Sequence, residues 1–143
     1  MGEETPKHSV SVAAAVVRDD GRVLAIQRRD NAHWEPPGGV LELDETIEDG
    51  LRREVREETG IEIEVDGLTG VYKNMELGVV ALMFRCRLAD GDPAPTSEVT
   101  AVAWLDADGV AQRMDEAYAV RMLDAVRAAP ETAIRAHDGT ELL

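Results

Sequence analysis

The chain has 143 residues, 44% of them hydrophobic, with 29 acidic against 15 basic side chains and a formal net charge of −14. This length and apolar content predict one folded domain over residues 1–143, with loose termini at about 1–9 and 130–143, and exclude a disordered chain. The acidity argues against a nucleic-acid polymer as partner, because phosphate backbones are gripped by Lys and Arg patches.

Met1 to Ser9 is polar and lacks the apolar core of a signal peptide. No apolar run approaches membrane-spanning length, so a cytoplasmic protein without a membrane partner is the default expectation. Val10 to Val17 reads as a largely buried strand, then a turn at Asp19-Asp20-Gly21, then a strand over Arg22 to Arg29, the pair resembling a hairpin. Asn31 to Gly39, with Pro36, Pro37, Gly38 and Gly39, reads as a rigid loop. A helix follows, described below. Ile61 to Val65 and Leu68 to Lys73 are short strands broken at Asp66-Gly67. Val79 to Leu88 is the clearest strand, ending in a loop that runs from Asp90 to about Ser97, and Val99 to Leu105 is another. Asp115 to Ala128 forms a second helix through Ala117, Val120, Met122, Leu123 and Val126, stopped by Pro130. Cys86, the single cysteine, alternates onto the face of Leu82, Phe84 and Leu88 and is read as a core filler rather than a nucleophile.

The most informative stretch is Gly39 to Ile61, G-V-L-E-L-D-E-T-I-E-D-G-L-R-R-E-V-R-E-E-T-G-I. Thr46 can cap the helix, with Asp49 three residues on, and Gly60 can end it in a left-handed conformation. At about 100° per residue, Ile47, Leu51 and Val55 make one apolar stripe, and Asp49, Arg52 and Arg56 face solvent. Glu54 and Glu58 fall on the edge of the apolar stripe, with Glu57 and Gly50 just beyond. An ordinary solvated helix keeps carboxylates off its buried edge, because a half-buried carboxylate is costly unless paired or metal-bound. Glu54, Glu57 and Glu58 converge at helical spacing and repel one another. A divalent cation turns that repulsion into a site, and Mg²⁺ or Mn²⁺ prefers such hard oxygen ligands, with substrate phosphates completing the shell. The alternative is that Arg52, Arg53 and Arg56 merely neutralise these glutamates as surface ion pairs, which leaves the placement of Glu54 and Glu58 unexplained.

The spacing Gly39, five residues, Glu45, seven residues, Arg53-Glu54-Val55-x-Glu57-Glu58-x-Gly60-Ile61 resembles the Nudix box, with every fixed position filled. The resemblance, extending from about Val10 to Arg127, implies an α/β Nudix fold, a mixed sheet sandwiched between helices. It implies a metal-dependent hydrolase that cleaves a phosphoanhydride bond in a nucleoside diphosphate linked to another group. A MutT-like nucleoside triphosphate pyrophosphatase is the default; an ADP-ribose or nucleotide-sugar pyrophosphatase is the alternative. By the same resemblance Glu54, Glu57 and Glu58 hold Mg²⁺ or Mn²⁺ together with the Gly38 carbonyl, Arg53 keeps the site in shape, and Glu45 is a structural ion-pair partner. Either a box glutamate or Glu98, in the segment Glu98 to Trp104, serves as general base; Glu98 as a plain exposed glutamate stays open. Arg29 resembles the second arginine of a pair that touches phosphate or base in MutT-type members, and a surface arginine is the competing reading. Homodimers are common in the family.

Few rings are available to stack on a base. Phe84 and Trp104 lie in apolar alternation and are read as core, leaving Trp34 and Tyr72 as candidates for the substrate. Two other classes stay open: a Nudix-like module that senses a nucleotide without chemistry, and an acidic domain that binds calcium or a partner. The box glutamates are intact, against the first, and the spacing bears no resemblance to an EF-hand, against the second.

Overall fold

Two apolar runs at the N-terminus, β1 (Ser9–Val16) and β2 (Val23–Arg28), are buried on both faces, as strands covered by helices on either side must be. The computed structural model describes residues 4–127 and 131–143. The expected hairpin between these strands does not form. They meet just at the turn, through a bridge between Val17 and Val23 and a hydrogen bond from the Arg18 amide to the Arg22 carbonyl, and then separate into different sheets.

The first sheet has five strands in the order β4-β1-β6-β5-β8, built from β4 (Gly38–Val40), β5 (Glu62–Asn74), β6 (Val79–Asp90) and β8 (Ala133–His137) besides β1. It is mixed, with β1 parallel to β6 and β5 parallel to β8, and with β1–β4 and β5–β6 antiparallel. The second sheet has three strands in the order β3-β2-β7, with β3 (Trp34–Glu35) and β7 (Val99–Leu105), all antiparallel.

Side chains of β1 alternate between two cores. Val12, Ala14 and Val16 pack with Leu51 and Val55 of the helix α1 (Ile47–Thr59), while Ala13 and Ala15 pack on the other side with Ala119 and Met122 of α3 (Glu116–Val126). The result is the expected α/β architecture, a mixed sheet between helices, with a short α2 (Ala107–Arg113) joining α3 on its side. Leu51 and Val55 are fully buried, and each such side chain is worth about 1.5–3 kcal/mol. Ile47, placed on the same stripe by helical spacing, is 43% exposed, because the first turn projects past the sheet.

Three further sequence expectations change. The loop over 31–39 contains β3 and β4, each too short for a hydropathy pattern to register. The two strands expected before and after Asp66-Gly67 are one strand of 13 residues, whose register shifts at Val65/Gly67 and Leu68/Gly70 absorb the break as bulges. Helix α2 was not foreseen; Asp106 caps it by accepting a hydrogen bond from the Gly109 amide at 2.8 Å. Ala128 and Pro130, the expected end of the last helix, lie outside the described residues.

The C-terminal tail is not loose. Strand β8 pairs with β5 from Gly70–Ala133 to Asn74–His137, and His137 is buried. Arg135 grips the buried carboxylate of Asp124 through two hydrogen bonds of 2.8 and 2.7 Å, and the Tyr72 hydroxyl donates to the same carboxylate at 2.8 Å. Among the described residues no helix is long and apolar enough to cross a membrane.

Because Arg135 satisfies a buried carboxylate, Arg135→Ala should destabilise the protein by about 1–3 kcal/mol in urea unfolding. A loose tail would leave the midpoint unchanged.

Candidate active site

The cleft is built where the N-terminus of the first sheet and helix α1 meet. Thr46 caps α1 in an extended conformation and accepts from the Asp49 amide at 3.1 Å, and Gly60 closes the helix at φ 80° with its N–H bonded to the Arg56 carbonyl. These two ends set the rotation of the helix, which turns Glu54 and Glu58 toward β4. There the Gly38 amide donates to Glu58 Oε1 at 2.7 Å. Gly39, paired with Val12 of β1, has no side chain to keep α1 away: a Cβ at this position would collide with the Glu54 carboxylate.

Arg53 organises the acidic face of α1. Its Nε and Nη2 fork onto the two oxygens of Glu45 at 2.8 and 2.6 Å, while Nη1 reaches Glu54 at 2.9 Å and Glu57 at 3.3 Å. Nη2 also donates to the Val40 carbonyl at 3.3 Å, tying the helix to β4. The guanidinium holds the Glu45 carboxyl down to about 2, helped by the Glu42 amide.

Glu54 and Glu58 behave in the opposite way. Burial pushes the Glu58 carboxyl up to about 7; the Gly38 amide opposes this, and the nearby charges of Glu54 and Glu98 add to it. Burial also raises Glu54, against the pull of Arg53. A carboxylate that is 5% exposed, hydrogen-bonded by one amide and facing two others is held in a state it favours only when a cation joins it.

A cavity of about 720 Å³ opens over these groups, lined by Gly38, Gly39, Glu54, Glu58, Glu98 and the Arg28–Arg29 pair among others. Glu98, immediately before β7, is exposed in the lining of the same cavity. Its loop is fixed by Arg29, whose side chain donates to the Ser97 and Thr96 carbonyls at 3.0 and 3.1 Å and whose amide donates to the Glu98 carbonyl. Arg29 therefore combines two positions, on the cavity rim and as a brace for Glu98.

The two aromatic candidates do not join this wall. Tyr72 is fully buried under α3 with its hydroxyl on Asp124, so its ring is closed to a ligand. Trp34, at β3, lies under the Arg113 guanidinium at 5.1 Å and faces a separate small cavity with Tyr118. Cys86 is buried, its thiol pushed up to about 12 by burial, as suits a core filler. Residues not singled out by sequence reasoning also gather here. Arg28 forks onto Asp30 at 2.9 and 2.7 Å and approaches Glu35 at 4.0 Å, beside Arg121 of α3. Arg28 had a signal in its pairing with Arg29; Glu35 and Arg121 had none, being 86 residues apart (121 − 35).

The cleft thus sets an acidic helix against a glycine strand, with two arginines in its lining. The NUDIX domain family matches residues 7–126. A MutT-like protein of Streptomyces ambofaciens is 60% identical over 138 residues, covering 96% of this chain and 89% of that protein. Among solved structures, a MutT Nudix hydrolase from Burkholderia pseudomallei superposes with a TM-score of 0.75 at 27% identity, over 83% of this chain and 98% of its own. An ADP-ribose pyrophosphatase from Streptococcus suis shares the fold, with a TM-score of 0.76 at 22% identity over 90% of this chain and 99% of that one. The chain belongs to the Nudix family, and it is a Nudix hydrolase, a pyrophosphohydrolase. Enzymes of this family generally use divalent metal ions and act on small nucleotides.

The raised Glu58 carboxyl makes stability depend on pH. A group whose pKa is about 7 when folded, against 4.5 as its ordinary value, stabilises the fold fully below about 4.5 and loses that contribution as pH rises through 7. In EDTA the melting temperature should therefore fall between pH 5 and 8 by the equivalent of about 2–3 kcal/mol, and Glu58→Gln should remove most of that slope. Parallel Tm profiles of the two proteins would contradict the assignment.

Proposed function

We propose that this chain hydrolyses a phosphoanhydride bond of a small nucleoside diphosphate derivative with the help of Mg²⁺ or Mn²⁺, nucleoside triphosphates being the first substrates to test. The observation that carries this is Glu58, a buried carboxylate with one amide donor, which lines a cavity of about 720 Å³ together with Glu54 and Glu98. Glu54, Glu57 and Glu58 are the residues to hold the ion, with the Gly38 carbonyl beside them.

The donor set fits such an ion. All donors are hard oxygens, and the Gly38 N–H already points at Glu58, the side to which a strand residue also directs its carbonyl. Among the described residues no three His, Cys, Asp or Glu side chains stand together so as to hold an ion without rearrangement. Arg53 draws Glu54 and Glu57 to one side, and Gly38 holds Glu58. That arrangement suits Mg²⁺, which takes a few carboxylates and completes its shell with water and substrate phosphates, better than calcium, which takes six to eight oxygens. A divalent ion held there supplies charge neutralisation for the phosphate oxygens and a lowered pKa for a coordinated water.

The chain's own groups divide the remaining work. Arg53 keeps the glutamates at fixed positions and limits their mutual repulsion. Glu98, exposed in the cavity lining on the loop that Arg29 braces, is the first candidate to accept a proton from an attacking water. Glu58, with a pKa near neutrality before any cation binds, is the second candidate for that proton. Arg28 and Arg29 are the basic side chains in the cavity lining, beside which substrate phosphates would lie.

Glu57→Gln and Glu58→Gln should each lower kcat by about 100-fold or more with the fold intact, since each removes a charge that repels its neighbours. Activity should vanish in EDTA and return with Mg²⁺ or Mn²⁺. The assay is phosphate or pyrophosphate release across nucleoside triphosphates, ADP-ribose, dinucleoside polyphosphates, NADH and nucleotide sugars. Full activity of both variants with Mg²⁺ would overturn the metal assignment.

A further inference from the structure

A second cavity of about 230 Å³ adjoins the first and shares Arg28, Gly38, Gly39 and Val40 with it. Arg121 of α3 lines its inner end and is 8% exposed. Its Nε is buried with no hydrogen-bond partner among the described residues. The guanidinium is held instead by two rings, Tyr118 at 4.7 Å and Tyr72 at 5.4 Å, which attract its charge without accepting its N–H bonds.

Its contact with His137, 3.3 Å from Nη2 to Nε2, supplies no acceptor either. The Gly139 amide donates to His137 Nδ1 at 3.0 Å, so Nδ1 must be bare. Burial and the charge of Arg121 keep this imidazole neutral, which leaves its one proton on Nε2, facing the arginine donor to donor. An arginine buried with unmatched donors is costly, and the cost is recovered when a ligand brings the missing acceptor.

A heterocycle joined to phosphates fits the size of this cavity, its mixed polar and apolar lining and its continuity with the larger one. Leu77, Val79 and Ala81 give the cavity apolar walls. Glu35, which also lines it, repels a second anion and can accept from a ring N–H. At ~30 Å³ per liquid water the space equals about eight waters, enough for one heterocycle, with the rest of the nucleotide continuing into the larger cavity. We infer that Arg121 is a specificity-determining residue that donates to a ring carbonyl of the substrate's nucleobase, selecting guanine, cytosine and uracil over adenine, the common base without such a carbonyl. This rests on the nucleotide hydrolase reading above.

The test compares ATP, GTP, CTP and UTP as substrates with Mg²⁺, in the wild type, Arg121→Gln and Arg121→Lys, each with a melting curve. Binding of the four nucleoside monophosphates in EDTA is measured alongside. The wild type should show kcat/KM about tenfold or more lower for ATP, carried by KM, as loss of one hydrogen bond to a charged donor predicts. In Arg121→Gln the four values should converge, with Arg121→Lys between. Equal use of ATP by the wild type, or the same preference in a folded Arg121→Gln, overturns the inference. If Arg121→Gln does not fold, the wild-type preference and its reduction in Arg121→Lys decide. Weaker binding of AMP without turnover of any nucleotide keeps the base reading and defeats the hydrolase reading. Uniform turnover with uniform monophosphate binding does the reverse.

Discussion

Helix α1 lies so close to the Gly38–Gly39 backbone that a carboxylate of the helix occupies the space a side chain on Gly39 would need. The approach is held by a hydrogen bond from Gly38 to Glu58 and by Arg53, which reaches from the helix to Val40 of the same strand. Around this contact the rest is arranged. Strand β4 can be there because β1 pairs with it, and β1 can be central because its residues are apolar on both faces. The two ends of α1, Thr46 and Gly60, then determine which of its glutamates meets the strand.

The contact has an electrostatic consequence. Glu45 and Glu58 belong to one short segment, yet their carboxyls are displaced in opposite directions, down to about 2 and up to about 7. The difference is one of partners. Glu45 has a bidentate arginine, whereas Glu58 has burial, one amide and two like charges. Stability is sacrificed at Glu58 and kept at Glu45, a division expected where one group frames a site and another binds a cation. With a net charge of −14 on the chain, Arg28 and Arg29 are the basic side chains that the cavity lining offers to a polyanion.

Arginine in this fold takes three roles that composition alone does not separate. Arg53 is saturated by carboxylates, Arg135 holds the C-terminal strand to α3 through Asp124, and Arg121 is buried between rings with donors unmatched. Only the third is arranged to gain from an added acceptor.

The helix α1, its caps and the inward turn of Glu54 and Glu58 were legible in the sequence, because capping and helical spacing act within one or two turns of chain. So were β6 and β7, whose apolar runs match their buried faces, and, through the family resemblance, the ion-pair character of Arg53 and Glu45, whose pairing with each other the structure supplies. What the sequence could not decide lay in partners distant along the chain. The strand pair at the N-terminus was assigned to a hairpin because a turn joins it, yet the two strands have better partners in β6 and β7. The tail was read as loose because five residues of β8 carry little pattern, and its order comes from pairing with β5 and from Asp124. Tyr72 reads as available at a strand end but is covered by α3, and nothing near Arg121 in the sequence announces that the Tyr72, Tyr118 and His137 side chains enclose it. Local hydrogen bonding and periodicity are written in neighbouring residues; burial is a property of what arrives from elsewhere in the chain, and only the tertiary structure supplies it.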